Sequence, residues 1–258
     1  MVREHQASEL TPFDQAMTHL PEHRRHLDKI LFRLSRVADL PERPAILDIG
    51  AAQGLLLIAA AHRGLTAVGI EPHDQARAGA IELAGRMGLT IDIRPGAAEK
   101  MDLPDNSFDI VNATSVLEHV HDPAAVMAEV CRVLKPGGVF WFCTASSVCP
   151  RQREIAVFPC FSWYPDALKR RLMVWAARRR PAWVGHTQTP AVHWFTPGKA
   201  RRMLLAAGFS RVYDRWDLRR PEEGGRLHRM GLRIIQRWRP ARWAADVAVE
   251  ACSYAAVK

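Results

Sequence analysis

The sequence predicts an α/β fold, a parallel sheet with helices on both faces. From residue 45 onward, short apolar, β-rich runs alternate with helical runs. That alternation is the pattern of parallel strands joined by crossover helices. The 258 residues also suffice for one large domain with a substantial core, or for two small ones.

Each element has a local reason. Residues 1–43 read as a helical segment, with Leu27, Ile30, Leu31, Leu34 and Val37 at helical spacing, and Pro41 and Pro44 break the pattern. Strands are expected at 45–49, 66–70, 90–94, 108–113 and 138–145, with helices at 54–63, 74–87 and 122–134. The tetrapeptide KPGG at 135–138 reads as a turn just before the fifth strand. Residues 148–192 interrupt the rhythm with prolines, aromatics and arginines, and hold one helix, DALKRRLMVWAARRR. TPGKARRMLLAAGF then reads as a helix terminated by Gly208. An antiparallel strand pair is expected near 211–217 and 230–238. A tail helix at 241–256 follows, with Trp243, Val247, Ala251 and Tyr254 on one face. No internal repeat is evident.

Composition narrows the function classes. No run of 18 apolar residues exists, so no transmembrane helix is expected, and the opening MVREHQASEL has no signal-peptide core. Five cysteines without a Cys-x-x-Cys pair fit a reducing cytoplasm and argue against a zinc module. The net charge of +9 is unevenly spread. Residues 1–147 carry 14 Lys+Arg against 19 Asp+Glu, whereas residues 148–258 carry 22 against 8 and seven of the eight tryptophans. The second part therefore expects an anionic or interfacial partner.

The stretch ILDIGAAQG at 46–54 is a strand, a Gly-rich turn and a helix start, the layout of a nucleotide-binding corner. The loop lacks the G-x-G-x-x-G spacing of dinucleotide sites, and Asp48 stands two residues before Gly50. A carboxylate there does little for a pyrophosphate. It favours a ligand carrying an ammonium and a sulfonium, and S-adenosylmethionine is such a ligand. AVGIEP ends a strand at Glu71, 23 residues after Asp48, where an acid can accept hydrogen bonds from ribose hydroxyls. Singly, Asp48 reads equally as a turn cap and Glu71 as a solvated loop acid. Together they favour a nucleoside site.

Residues 44–145 resemble the class I S-adenosylmethionine-dependent methyltransferases, in the small-molecule branch that includes ubiquinone- and menaquinone-pathway enzymes. The matching stretches are ILDIGAAQG, AVGIEP, GAAEKMDLPDNSFDIV, TSVLEHVHDPAAVMAEVCRVLKPGG and WFTPGKARRMLLAAGF. The resemblance implies a Rossmann-like seven-stranded sheet, mostly parallel with an antiparallel last strand. It further implies that Asp48, Gly50, Ala51 and Gly54 surround the methionine moiety and that Glu71, with Pro72 beside it, binds the ribose. Ala98 and Glu99 would border the adenine, and Ala113 and Thr114 would sit under the amino acid end. Many relatives have Gly in place of Ala52, and Asp in place of Ala97, where it helps bind the adenine amino group.

For the chemistry, methyl transfer is an in-line displacement at carbon, and a hydroxyl acceptor also needs its proton removed. By resemblance His119 is one candidate base; a loop-capping role is its alternative. His193 is the other, facing the pocket or packed under a lid. His19, His23 and His26, in the helical cover, read as surface residues. No essential metal is expected. Some related O-methyltransferases hold a divalent ion with Glu-x-x-Glu-His, but Ser115 takes the first Glu position here, leaving Glu118 and His119.

Nucleic acid is an unlikely partner on the motifs. NATS after the fourth strand lacks the prolines of adenine N6 methyltransferases. The Pro-Cys pair in FPCF follows the fifth strand rather than the fourth, so Cys160 reads as a buried structural cysteine. Leu168, Leu172 and Trp175, flanked by arginines, suit a lid with core tryptophans and solvated arginines, a membrane interface or a lipid-linked substrate, or nucleic acid with tryptophans stacked on bases.

These readings combine into a single methyltransferase domain: a helical cover at 1–43, a cofactor half at 44–147, a lid at 148–192, a helix and strand pair at 193–240 and a tail helix at 241–258. The expected activity is O-methylation of a small apolar or lipid-carried metabolite, in the cytoplasm or peripherally at the inner membrane face. An RNA methyltransferase and a non-catalytic binding scaffold are the alternatives.

Overall fold

The computed structural model describes residues 12–152, 155, 157–185 and 189–258. The first 11 residues of the expected cover and six positions of the expected lid lie outside the described residues. The chain begins with helix α1 (Pro12–Leu34), then alternates β1 (Ile46–Ile49), α2 (Leu55–His62), β2 (Ala67–Ile70), α3 (Asp74–Arg86) and β3 (Asp92–Arg94). It continues with β4 (Phe108–Thr114), α4 (Pro123–Val133) and β5 (Leu134–Ala145). Residues 148–192 hold α5 (Asp166–Arg179), and α6 (Pro197–Ala206), β6 (Arg211–Asp214), α7 (Arg226–Arg237), α8 (Arg239–Val247) and β7 (Ala251–Val257) follow.

The seven strands form one sheet in the order β3-β2-β1-β4-β5-β7-β6. The first five run parallel, and β7 is antiparallel to both neighbours. Strand order reverses between β1 and β4, the point where an open α/β sheet leaves a crevice at its carboxyl ends.

Helix α2 is apolar almost all round, with Leu55–Ala60 buried. Such a helix needs cover on two sides. The sheet gives one, and α1 gives the other: Leu27, Ile30 and Leu34 pack with Leu56 and Ala59, while Ala16 and Leu20 pack with Leu55 and Ile58. On the opposite face, Phe140 and Phe142 stack at 4.8 Å and lie against Val126, Val130 and Leu204 of the helices. Each such fully buried side chain contributes about 1.5–3 kcal/mol.

Four expectations about elements are corrected. KPGG does not precede β5 but lies inside it: Val133 ends α4, the strand starts at Leu134, and Gly137 takes a left-handed φ of +79°. Residues 230–238 are not a strand, because Leu227, Met230 and Ile234 recur at helical spacing and Leu232 anchors the opposite face, so the segment forms most of α7. The tail is not one helix, because α8 stops at Val247 and residues 251–257 form β7. With β5 and β6 on its two sides, β7 is buried almost throughout. A strand covered on both faces shows no alternation. Cys160 is exposed rather than buried, in a left-handed conformation before a short 3-10 turn at Phe161–Trp163.

The buried face of α5 is Lys169, Met173 and Ala176, so Leu168 and Trp175 point outward. Lys169 Nζ lies 4.4 Å over the Trp194 ring and pairs with Asp166 at 2.7 Å, which compensates its burial. Among the described residues, no helix is long and apolar enough to cross a membrane.

Candidate functional site

The carboxyl ends of β1 and β4 place two polar side chains in an otherwise apolar sheet. Asp48 and Asn112 are register partners, and Asn112 Nδ2 donates to Asp48 Oδ1 at 2.6 Å. Thr114 Oγ1 donates to Asn112 Oδ1 at 3.2 Å, which extends the chain to the strand end. Asp48 is buried, and burial pushes its carboxyl up to about 7; the Asn112 bond opposes this and the Glu71 carboxylate reinforces it. A buried acid carrying this penalty costs the fold stability at neutral pH, which makes it a candidate site residue.

The loop after β1 is stapled to β2. Gly50 N and Ala51 N both donate to Ile70 O, at 2.8 and 3.1 Å, and Gly54 N donates to Ala51 O at 2.8 Å. Gly50 has φ +70°, and a Cβ there would meet Val116 Cγ2 at 2.7 Å, so the turn and the close approach both require glycine. Ala52 takes φ +46°, a left-handed conformation disfavoured for a residue with a Cβ. Its N–H donates to Glu71 Oε2 at 3.0 Å, and Glu71 Oε1 accepts from His73 N at 3.0 Å and contacts His73 Nδ1 at 2.8 Å. The buried Glu71 thus fixes the β1 and β2 loops relative to each other.

A cavity of about 520 Å³ opens over this corner. Its sheet side is Asp48, Gly50, Ala51, Ala52, Gln53, Asn112 and Thr114, with Leu55 and Leu56 from α2. Its other wall is α1, through His19, Glu22, His23 and His26. These histidines, read as surface residues from sequence, therefore line the cavity. His23 Nδ1 lies 3.1 Å from His19 O, and the buried His26 Nε2 has no hydrogen-bond partner among the described residues. Burial, with His23 and Lys29 nearby, holds His26 below the ordinary imidazole range. The sequence signal was their recurrence at 19, 23 and 26, one turn apart on a single stripe. Asn112 was also missed; its signal was an amide inside the apolar run FDIV-N-A.

Of the residues singled out in the sequence, Asp48, Gly50, Ala51 and Thr114 line the cavity, and Gly54, Glu71, Pro72, Ala98, Glu99, Ala113, His119 and His193 do not. Ala113 points into the core. Ala98 is buried, and Glu99 Oε1 accepts from His121 N at 2.8 Å, tying the loop after β3 to the turn after β4. His119 Nδ1 lies 2.6 Å from Thr189 O, and His193 Nε2 lies 3.2 Å from His121 O. Val192 N and His193 N donate to Glu118 O, so both imidazoles clip the 189–195 segment to that turn. Burial keeps His193 below the ordinary imidazole range. The Glu118 carboxylate is buried and accepts from Thr144 Oγ1 at 2.7 Å. Among the described residues, no group of three or more His, Cys, Asp or Glu is arranged to hold a metal ion.

Comparisons with known proteins find methyltransferases. The sequence profile described as a methyltransferase domain matches residues 47–142. The ubiquinone biosynthesis O-methyltransferase of Methylococcus capsulatus is 39% identical over 98 residues, covering 38% of this chain and 41% of that protein. The protein of the same description from Paramagnetospirillum magneticum is 38% identical over 95 residues, covering 37% and 38%. The matched segment thus spans only about two fifths of these relatives' own length. An S-adenosylmethionine-dependent methyltransferase from Mesorhizobium loti shares the fold, with a TM-score of 0.52 at 19% identity over 85% of this chain and 94% of that one. Residues 47–142 thus match a methyltransferase domain, seated in the seven-stranded sheet and the glycine loop described above.

Proposed function

We propose that the protein transfers a methyl group from S-adenosylmethionine to an oxygen of a small, apolar or lipid-carried metabolite. The observation that carries the reading is the buried Asp48 carboxylate beside a cavity of about 520 Å³. The residues fit the cofactor's charges: an ammonium or sulfonium beside Asp48 offsets the penalty that burial places on its ionised form. On this reading Asp48, Gly50, Ala51, Gly54 and Thr114 hold the amino acid end. Glu71, with Pro72, holds the ribose side, Ala98 and Glu99 border the base, and Ala113 sits under the amino acid end.

When bound, the cofactor supplies an activated methyl on a positive sulfur. The protein's own task is alignment, exclusion of water and proton removal. Helix α1 walls the cavity and screens that side of it from water. His26, which lines the cavity and is held below the ordinary imidazole range, is the imidazole this reading assigns to proton removal. His119 and His193, proposed from sequence as bases, act here through the backbone: they hold the 189–195 segment as the wall beside the turn after β4. The small-molecule acceptor draws support from the ubiquinone-pathway relatives, and the lipid-carried form from the exposed apolar and basic surface of the second part.

Calorimetric titration with S-adenosylmethionine tests the reading, comparing the parent chain with Glu71→Ala and Glu71→Gln. Micromolar binding is expected, weakened about tenfold or more by Glu71→Ala, about 1.4 kcal/mol. Glu71→Gln keeps an acceptor for Ala52 N and loses less. No binding by protein with intact circular dichroism overturns the proposal and favours a non-catalytic scaffold.

A further inference from the structure

Helix α7 carries two apolar faces, and only one of them is used. Leu232 is buried, and Gln236 Nε2 donates to Trp216 O and Arg219 O at 2.8 and 2.9 Å, so this face docks the helix on the body of the protein. On the far side Leu227, Met230 and Ile234 stand at helical spacing with exposures of 81%, 59% and 46%. Trp238, at the helix end, borders the same groove as Met230 and Ile234 and is 60% exposed, and Trp243 on α8 is 64% exposed. Beside the stripe runs a row of exposed arginines, Arg226, Arg229, Arg233 and Arg237. These four, with Met230, Ile234 and Trp238, wall an open groove of about 600 Å³. Among the described residues none of the four has an ion-pair partner, and α7 contains no acidic residue.

We propose that the outward face of α7, with Trp238 and Trp243, is a docking surface for an anionic phospholipid bilayer. A helix that lies in a membrane interface needs an apolar stripe to enter the acyl boundary and cations level with the headgroups. The arginines flank the stripe on one side, so both needs are met at one depth. Indole rings suit the same boundary, because the ring is apolar and its N–H stays within reach of water or headgroups. A second copy of this chain is a poorer occupant: paired α7 helices would bring arginine rows together with no acid in the helix to meet them. Nucleic acid would meet the arginines but leave Leu227, Met230 and Ile234 against a polar backbone.

The inference deepens the reading of a lipid-carried acceptor, since it would bring the enzyme to the surface where such acceptors reside. Its test needs no turnover. The full chain is floated with vesicles of phosphatidylcholine alone, and of phosphatidylcholine mixed in equal parts with phosphatidylglycerol. Arg229→Gln/Arg233→Gln and Leu227→Ser/Met230→Ser are run beside it. Binding to the anionic vesicles alone is expected, falling with added salt. Each arginine removed should weaken partitioning about five-fold. The apolar pair should weaken it about tenfold or more. All these positions are exposed, so the variants keep the fold, and cofactor titration of each separates loss of docking from loss of the cofactor site. Failure of the parent chain to float at low salt overturns the proposal. So does equal floating of the parent and both variants. Arginine-dependent binding to a single-stranded RNA oligonucleotide without vesicle binding, or dimerisation abolished by the apolar pair without vesicle binding, also overturns it in favour of that partner.

Discussion

Replacing Asp48 with asparagine separates what this residue costs the fold from what it does for the ligand. The carboxyl moves from 3.8 in the unfolded chain to about 7 in the folded one, chiefly through burial. The folded state therefore keeps a proton that the unfolded chain releases, and stability declines as pH rises from about 4 to about 7. At about 1.36 kcal/mol per pH unit, the total reaches on the order of 4 kcal/mol. Asparagine is neutral throughout and its carbonyl can still accept from Asn112 Nδ2. Asp48→Asn should thus match the parent near pH 4, gain about 1.4 kcal/mol per pH unit above it and level off above pH 7. Urea unfolding of both proteins at pH 5, 6, 7 and 8, roughly spanning that window, measures the gap directly. The same variant should bind S-adenosylmethionine about tenfold or more weakly, because no anion remains to meet its positive charge. A stability gap that does not change with pH refutes the buried, proton-holding carboxyl. Undiminished cofactor affinity in the variant refutes its pairing with the ligand.

Two predictions concern the loop that precedes α2. Ala52→Gly removes the Cβ from a left-handed residue and should stabilise the chain by about 0.5–1 kcal/mol in urea unfolding, net of the added unfolded-state entropy; a loss of stability counts against the φ of +46°. Gly50→Ala should destabilise by about 1–3 kcal/mol, since it adds left-handed strain to a Cβ placed 2.7 Å from Val116 Cγ2. It should also abolish detectable cofactor binding in the same calorimetric assay, and full binding would show that the loop adapts.

The legible part of the fold is the part whose elements are short and punctuated. From β1 to α4 the strand and helix positions follow from apolar runs broken by Gly and Pro, and boundaries shift by only a residue or two. The acids of the site were legible for the same reason: Asp48 and Glu71 stand where a strand gives way to a loop. The rest depends on contacts distant in sequence. Residues 226–237 mix Arg with Met, Leu and Ile so that alternating and helical spacing both fit, and only the burial of Leu232 decides between them. Residues 251–257 bear no period because neighbours cover both faces. The histidines of α1 could be seen as a stripe, but which way the stripe faces is set by how Leu20, Leu27 and Ile30 pack on α2. Asn112 gained meaning only from its register with Asp48.

The place of β7 between β5 and β6 has a consequence for the order in which the protein is made. Strand β6 touches the sheet only through β7, and residues 215–250 separate the two in the chain. During vectorial synthesis the five parallel strands can assemble first, because each meets its neighbours before the helices α7 and α8 have emerged. Until β7 arrives, the edge of β5 presents open backbone groups along Val139–Ala145, and β6 waits without a partner. An open edge of that kind recruits strands from other nascent chains. Closure of this sheet therefore comes late in the order of synthesis, and the interval before it is when the edge of β5 is most exposed to misassembly.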